Sequence, residues 1–246
     1  MRDRLRVIRQ QVGMLGVPLT VRYLLLYLLH YNPGSDHSFD RRYGTNTSGL
    51  VRPDDWESAD EITRSQGVGY VPSPPQLTRY MLRSLPADSA AFTFVDVGCG
   101  KGRVVLVASE FPFRRVIGIE LSPWLCGIAQ ENLTQFRSRR RRCPNLEVQC
   151  AEATTWPLPE GDLVLHLYHP FGADVLRRFL AHVSASLEES PRRIALLYLR
   201  VSREVREVFE EFPAFQLVQR VQCWNPNYSW SRYASLPSRN EAATPG

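Results

Sequence analysis

A short run of alternating glycines, preceded by an acidic residue, is the segment of this chain best suited to binding a ligand. Asp96 stands two positions before the first of three alternating glycines, which are Gly98, Gly100 and Gly102. Between a strand and a helix, such glycines let the backbone turn tightly and let a ligand approach without meeting a Cβ atom. A dinucleotide-binding loop needs a small residue where this chain has Arg103, and a diphosphate is disfavoured beside the Asp96 carboxylate. The spacing therefore favours a ligand that carries an amino group.

Two further acidic residues follow predicted strands downstream of this loop. Glu120 ends a β-branched strand and lies 20 positions after Gly100, where a carboxylate can accept two hydrogen bonds from a ribose diol. Glu152 follows the next strand, from which its side chain can reach the edge of an adenine. Together, the loop and the two acids predict a nucleoside-type ligand. The alternative is a glycine turn that serves only to pack the following helix.

These residues need a sheet whose strands end side by side, and the chain from residue 76 onward has the corresponding pattern. Apolar and β-branched runs predict seven strands, at residues 92–97, 115–121, 146–150, 163–168, 194–201, 215–224 and 228–236. Helices are predicted at residues 102–111, 123–136, 173–187 and 202–212. Repeated βα units imply a parallel sheet covered on both faces, and the short link before the last strand requires an antiparallel hairpin. We therefore predict an α/β, doubly wound, Rossmann-like sheet of seven strands, mostly parallel, with a C-terminal antiparallel hairpin.

The pattern divides the chain into four segments. Residues 1–31 are predicted to form an N-terminal helical extension that docks on the main domain or on a partner chain, or lies on a membrane surface. Residues 32–75 are predicted to be an irregular linker or lid, because turn-forming residues and prolines dominate them. Residues 76–236 form the predicted α/β domain, and residues 237–246 are predicted to be a disordered tail.

Composition limits the classes of protein to consider. The 246 residues are 43% hydrophobic and 22% charged, which is typical of a globular protein and excludes a mainly disordered one. No apolar run is long enough to predict a transmembrane helix, and no cleavage site for a secretory signal follows the apolar residues 17–31. The five cysteines form no C-x-x-C pair, which favours a reducing compartment and a cytoplasmic location. The net charge of +5 does not by itself favour nucleic acid, because the basic residues are spread along the chain.

One dense basic cluster stands apart from that even distribution. Residues 137–142 contain five arginines and follow a predicted helix. Cations near a helix C-terminus are favourable, so a solvated loop is the expected outcome. Contact with RNA or with acidic lipid is the alternative.

The glycine loop and the two acids resemble the cofactor-binding motifs of a known family. Residues 96–102 resemble motif I of class I S-adenosylmethionine (SAM)-dependent methyltransferases, and Glu120 matches the ribose-binding acid of that family. Leu121 follows that acid, and the pair Glu152 and Ala153 is similar to the Asp-Ala pair that often lies near adenine. The resemblance covers residues 70–236. It implies SAM as the cofactor, a methyl-acceptor substrate of unknown class and a methyl-transfer reaction.

Two segments resemble particular branches of this family. Residues 118–125, together with Tyr70-Val71-Pro72, are similar to seven-strand protein-lysine methyltransferases. Residues 39–44 resemble uncharacterised bacterial methyltransferases. In such enzymes the upstream aromatic segment commonly closes over the cofactor, which makes Tyr70 a candidate lid residue. Alternatively, Tyr70 simply packs the linker onto the sheet.

The candidate catalytic residues follow the fourth predicted strand. His169-Pro170-Phe171 resembles the family's Asn/Asp-Pro-Pro-Tyr/Phe motif, in which the first side chain holds a nitrogen and the aromatic ring flanks it. Here a histidine replaces the first residue and one proline is missing. We expect His169 either to orient the acceptor or to take its proton, with Phe171 beside it. The alternative for His169 is a structural hydrogen bond at the end of the strand.

Metal chemistry is not expected, and two other functions remain as alternatives. His166 and His169 are three positions apart on a predicted strand, so their side chains leave opposite faces, and no carboxylate cluster lies nearby. A protein lysine and a small molecule are both open as acceptors. The alternatives to methyl transfer are an NAD(P) oxidoreductase, and a non-catalytic methyltransferase-like module that binds RNA, a membrane or a protein partner.

Overall fold

Seven strands form one sheet in the described part of the chain. In the computed structural model, the described residues are 37–52, 69–86, 88–223 and 225–235, together with individual positions between residues 7 and 21. The strands are β1 (Thr93–Val97), β2 (Arg115–Glu120), β3 (Leu146–Cys150), β4 (Leu163–Tyr168), β5 (Ile194–Leu199), β6 (Phe215–Val221) and β7 (Trp230–Ser235). Their order is β3-β2-β1-β4-β5-β7-β6. The first five strands are parallel, and β7 lies antiparallel between β5 and β6.

The strands β1 and β5 are buried along their whole length because helices cover both faces of the sheet. Every residue of β1 and of β5 is buried, as expected for parallel strands in a doubly wound sheet. In β1, Phe94 faces one hydrophobic core, whereas Val95 and Val97 face the other. The strand β6 lies at the sheet edge and exposes Leu217 and Val218.

Six α-helices accompany the sheet between residues 38 and 210 of the described part. They are α1 (Ser38–Tyr43), α2 (Pro75–Arg83), α3 (Arg103–Ala108), α4 (Pro123–Gln135), α5 (Ala173–Glu189) and α6 (Arg203–Glu210). Helix α4 has proline in its first turn, and α6 is capped by the Ser202 hydroxyl, which accepts a hydrogen bond from the Val205 N–H at 3.1 Å. Helices α2, α3 and α4 contribute to the first core, and α5 and α6 to the second.

The sequence-based fold class is confirmed. The doubly wound sheet and its closing antiparallel hairpin are both present. The stretch expected to be irregular contains the helix α1. The described positions between residues 7 and 21 are helical, whereas residues 22–31 and the expected tail at 237–246 lie outside the described residues. No helix of the described part is long and apolar enough to span a bilayer.

Candidate functional site

A cavity opens where the carboxyl ends of the parallel strands meet. It lies across β1, β2, β4 and β5, and therefore at the switch in strand order between β1 and β4, where open α/β sheets bind their ligands. Its volume is about 1100 Å³, open mouth included. The predicted site residues that line it are Tyr70, Asp96, Gly98, Gly100, Glu120, Leu121, Glu152, Ala153, His169 and Phe171. Gly102 is not among the lining residues.

The backbone of the glycine loop packs closely against the rings of Tyr70 and Pro170. Gly98 and Gly100 have φ of +74° and +54°, in the left-handed region that favours glycine. A Cβ atom at Gly100 would lie 2.1 Å from Cδ2 of Tyr70, and one at Gly98 would lie 2.7 Å from Cβ of Pro170. At Gly102 it would lie 3.3 Å from Cβ of Ala129 on α4. The first two glycines thus shape the cavity, and the third packs α3 against α4.

Glu120 is fixed at the end of β2 by the loop itself. Its Oε2 accepts a hydrogen bond from the Gly100 N–H at 2.8 Å, and its Oε1 accepts one from the Ser122 N–H at 3.0 Å. Burial raises the pKa of this carboxyl group, and the two backbone hydrogen bonds act in the opposite direction. A carboxylate offers about four lone-pair positions, so Glu120 keeps acceptor capacity for a ligand. Glu152 is exposed on the wall nearby.

Two residues that line the cavity each carry a buried polar atom without a partner among the described residues. Asp96 on β1 lies directly opposite His166 on β4, and its Oδ1 is 2.7 Å from Nδ1 of the imidazole. Nε2 of His166 has no hydrogen-bond partner among the described residues, and neither has Oγ of Ser73. Both residues line the cavity and are at least 97% buried. Buried polar atoms are normally hydrogen-bonded, so these two are candidates for contact with a polar group of a ligand.

The opposite end of the cavity carries aromatic and basic side chains. Nδ1 of His169 lies 3.1 Å from Oη of Tyr198. Burial lowers the pKa of His169, and the positive charge of Arg200 lowers it further. Burial also raises the pKa of Tyr168 to about 12. Three of these residues line the cavity: Tyr168 ends β4, His169 follows it, and Arg200 follows the neighbouring strand β5.

The two histidines of β4 and its extension lie over different cores. His166 is near the ring of Phe94, and His169 is near Tyr198, which belongs to the second core. Their side chains therefore leave opposite faces, and both reach the cavity because it spans the edge of the sheet. Within the described ranges, no group of three or more His, Cys, Asp or Glu residues could hold a metal ion.

Residues 38–51, here called the strap, are organised around one carboxylate. Oδ1 of Asp40 accepts hydrogen bonds from the Thr47 hydroxyl at 2.6 Å, the Thr47 N–H at 2.8 Å and the Thr45 hydroxyl at 2.8 Å. Its Oδ2 accepts one from the Ser48 N–H at 2.7 Å. These bonds hold the pKa of Asp40 below its ordinary value, although burial acts to raise it. The Asp40 carboxylate thus holds the two ends of the strap together through hydrogen bonds within it.

The strap is fastened to the glycine loop by buried cations. Arg103 donates to the Thr47 hydroxyl at 2.7 Å and to the Ser48 hydroxyl at 2.8 Å. Nζ of Lys101 donates to the Ser48 carbonyl at 2.8 Å. The Tyr70 hydroxyl donates to the Thr47 carbonyl at 2.6 Å. Arg103, the residue that does not fit a dinucleotide-binding loop, therefore anchors the strap over the glycine loop.

Among the cavity-lining residues that the sequence did not identify as site residues, three carry polar side chains with atoms that no other described side chain engages or a partner set by strand register: Ser73, His166 and Arg200. Ser73 follows the Tyr70 segment, and Arg200 follows the end of β5, a position at which residues of parallel strands often meet a ligand. His166 was considered only as a metal ligand. Its pairing with Asp96 depends on the register of β1 against β4, which the sequence pattern does not specify.

Comparisons with known proteins agree with this geometry. The family model of the methyltransferase domain matches residues 94–190. Trans-aconitate 2-methyltransferase of Methylobacterium radiotolerans is 33% identical over 86 residues, which are 34% of this chain and 29% of that protein. The mouse adenine nucleotide translocase lysine N-methyltransferase is 50% identical over 36 residues, 15% of this chain and 16% of that protein. The chain thus spans less than a third of the length of these curated relatives.

A solved structure shows the same fold. The N-methyltransferase NodS from Bradyrhizobium japonicum, in complex with S-adenosyl-L-homocysteine (SAH), has a TM-score of 0.50 at 14% identity, covering 68% of this chain and 89% of NodS. The family match and the seven-stranded sheet with its reversed strand confirm the resemblance inferred from the glycine loop. Residues 94–190 thus match the model of a methyltransferase domain, and the complete sheet of residues 93–235 has the seven-stranded, Rossmann-like fold that the resemblance to class I SAM-dependent methyltransferases implies.

Proposed function

We propose that this protein is a SAM-dependent methyltransferase whose acceptor nitrogen loses its proton to His169. The observation that carries the proposal is Glu120, which faces the glycine loop at the edge of a cavity in a methyltransferase domain. A carboxylate in this position suits the two hydroxyls of a ribose. The acceptor approaches from the His169 end of the cavity.

The unpartnered atoms support SAM as the ligand. SAM has an adenosine and a methionine part, and the latter carries an ammonium and a carboxylate group. Ser73 Oγ can donate or accept, and Nε2 of His166, the ring nitrogen that does not contact Asp96, has no partner among the described residues. Ile119, Leu121 and Ala153 supply apolar wall for a base. The polar and acidic residues of the cavity thus suit the methionine part of SAM, and its apolar residues suit the adenine.

The residues at the acceptor end would control a proton. When bound, SAM supplies a methyl group activated by the neighbouring sulfonium. A protonated amine has no lone pair to offer, so it must first lose a proton. The lowered pKa of His169 keeps its imidazole neutral near pH 7, and in the tautomer whose Nδ1–H donates to the Tyr198 hydroxyl, Nε2 is free to receive that proton. Phe171, buried beside Phe179, forms the wall next to it.

Binding and transfer assays test this proposal. Isothermal titration should detect SAM and SAH but not NAD, and Glu120→Gln should weaken SAH binding by about tenfold because a charged hydrogen-bond acceptor is lost. The control is Glu147→Gln, whose carboxylate pairs with Arg115 away from the cavity and should leave the affinity unchanged. Methyl-labelled SAM should label an acceptor in cell extract. Cofactor binding without any labelled acceptor would favour a non-catalytic module, and binding of NAD instead of SAM would refute the proposal.

A further inference from the structure

Two non-glycine residues in the described part of the chain have positive φ, and they lie side by side at the cavity. His169, at +42°, follows β4, and Arg200, at +65°, follows β5. A left-handed conformation costs a residue with a side chain on the order of 1 kcal/mol, and such residues cluster at ligand sites. The Arg200 N–H donates to the Ser229 carbonyl at 2.8 Å, which holds this backbone in place. The turn thereby directs the Arg200 side chain to the cavity.

The charge of Arg200 faces the acceptor end of the cavity. It lowers the pKa of His169 and opposes the rise that burial causes at Tyr168 and Tyr198. Glu204, in the first turn of α6, is the acidic group that faces the same histidine and acts in the opposite direction. No ion pair or side-chain hydrogen bond engages the Arg200 guanidinium within the described ranges, so its donors are available.

The cavity is divided by charge along the sheet. Asp96, Glu120 and Glu152 line it on the side of β1, β2 and β3. Arg103, the other arginine of the lining, is bound to the strap through Thr47 and Ser48. Arg200 is therefore the arginine of the lining with free donors, and it lies across β4 from the acids.

We propose that Arg200 binds a carboxylate or phosphate group of the methyl acceptor, so that the acceptor is a small anionic molecule. This inference rests on the proposed methyltransferase function. The guanidinium fork matches both anions, because each can accept two parallel N–H bonds. A lysine on a basic protein segment would instead meet a like charge at this end of the cavity.

The experiment separates candidate acceptors by charge. The protein and methyl-labelled SAM are incubated with cell extract divided into a protein fraction, small molecules retained on an anion-exchange resin at pH 7, and small molecules that pass through. Label is expected in the retained fraction. Phosphatase treatment of that fraction before the assay abolishes labelling if the anion is a phosphate and leaves it intact if it is a carboxylate. Label confined to either other fraction overturns the inference but retains methyl transfer, and no label in any fraction overturns both.

Variants of Arg200 test the contact itself. Arg200→Asn removes the charge and tolerates the positive φ, and it should lower kcat/KM for the retained acceptor by roughly 10- to 150-fold, mainly through KM. Arg200→Lys keeps the charge without the fork and should lose less. The control is Arg203→Ala, an exposed residue paired with Glu207 on α6, which should not change the rate. SAH affinity should be the same in all four proteins and reports correct folding. Wild-type kcat/KM in Arg200→Asn would overturn the inference.

Discussion

At the scale of single residues, the sequence predicted which site residues lie at the ends of strands, but it did not predict where their side chains point. Asp96, Glu120 and His169 were found because each is in or just after a strand that the apolar pattern defines. Arg200 was missed because its importance comes from a positive φ, which an arginine in the sequence does not signal. Ser73 and His166 were missed because the lack of a hydrogen-bond partner depends on the neighbours that the fold brings around each side chain.

Replacing His169 should separate proton transfer from cofactor binding. His169→Asn removes the proposed base and tolerates the φ of +42°, so kcat should fall by about 100- to 10,000-fold while SAH affinity stays unchanged. The neutral imidazole is the active form, so wild-type kcat/KM should fall as pH drops through a pKa below the ordinary 6.5. That acidic limb should vanish in the variant. A wild-type rate, or a limb that persists in His169→Asn, would leave His169 with only a structural role.

At the scale of elements, strands were predicted more accurately than the strap. The predicted bounds of β3 and β4 agree with the structure to the residue. The strand β4 is apolar except for His166, whereas β3 lies at the sheet edge and alternates apolar with polar residues, and both patterns are typical of strands. Helix α1 was not predicted, since six residues are too few to show a helical period. It is stabilised instead by contacts distant in sequence, including the ring of Phe39 at 6.2 Å from that of Phe136.

The strap should depend on the Asp40 carboxylate. Asp40→Asn weakens several charged hydrogen bonds, so the free energy of unfolding at pH 7 should fall by about 1–3 kcal/mol in a urea titration. The folded-state pKa of Asp40 is lowered, so the stabilisation is complete above its unfolded value of 3.8 and is lost as pH falls through the folded value. The difference between the two proteins should therefore shrink at acid pH.

An exposed aspartate provides the matched control for the strap. Asp174→Asn, on the surface of α5, should change the free energy of unfolding by less than about 0.5 kcal/mol. Equal effects of the two substitutions would show that the strap contributes nothing specific to stability.

At the scale of the whole molecule, the sheet order places acids and Arg200 at opposite ends of one cavity. The sequence specified the elements that make this arrangement, because the βα alternation leads to a doubly wound sheet. The distribution of charge along the cavity could not be predicted, because it depends on the order of the strands. The covering of the glycine loop could not be predicted either, because it depends on contacts with residues 53 to 56 positions earlier in the chain. Long-range contacts of this kind carry no local signal.

Cofactor binding should stabilise the whole fold. A ligand that binds only the folded state, at 100 times its Kd, adds about 2.7 kcal/mol to the free energy of unfolding. For a chain of this size that corresponds to a rise in Tm of roughly 5–10 °C, measurable by scanning calorimetry. SAH should produce this rise, and NAD at the same concentration should not. A larger rise with NAD would contradict the assignment of the cavity.

The anchoring of Lys101 and Arg103 bears on where this protein can be cut. A recombinant fragment limited to residues 94–190 would carry both buried cations but neither the carbonyl nor the hydroxyls that accept their hydrogen bonds, and it would lack β5, β6 and β7. The ammonium and guanidinium groups would then lose these partners, and the glycine loop would lose its cover. The portion shared with its relatives is thus not an excisable unit, and expression work must retain the preceding sequence from Ser38 onward.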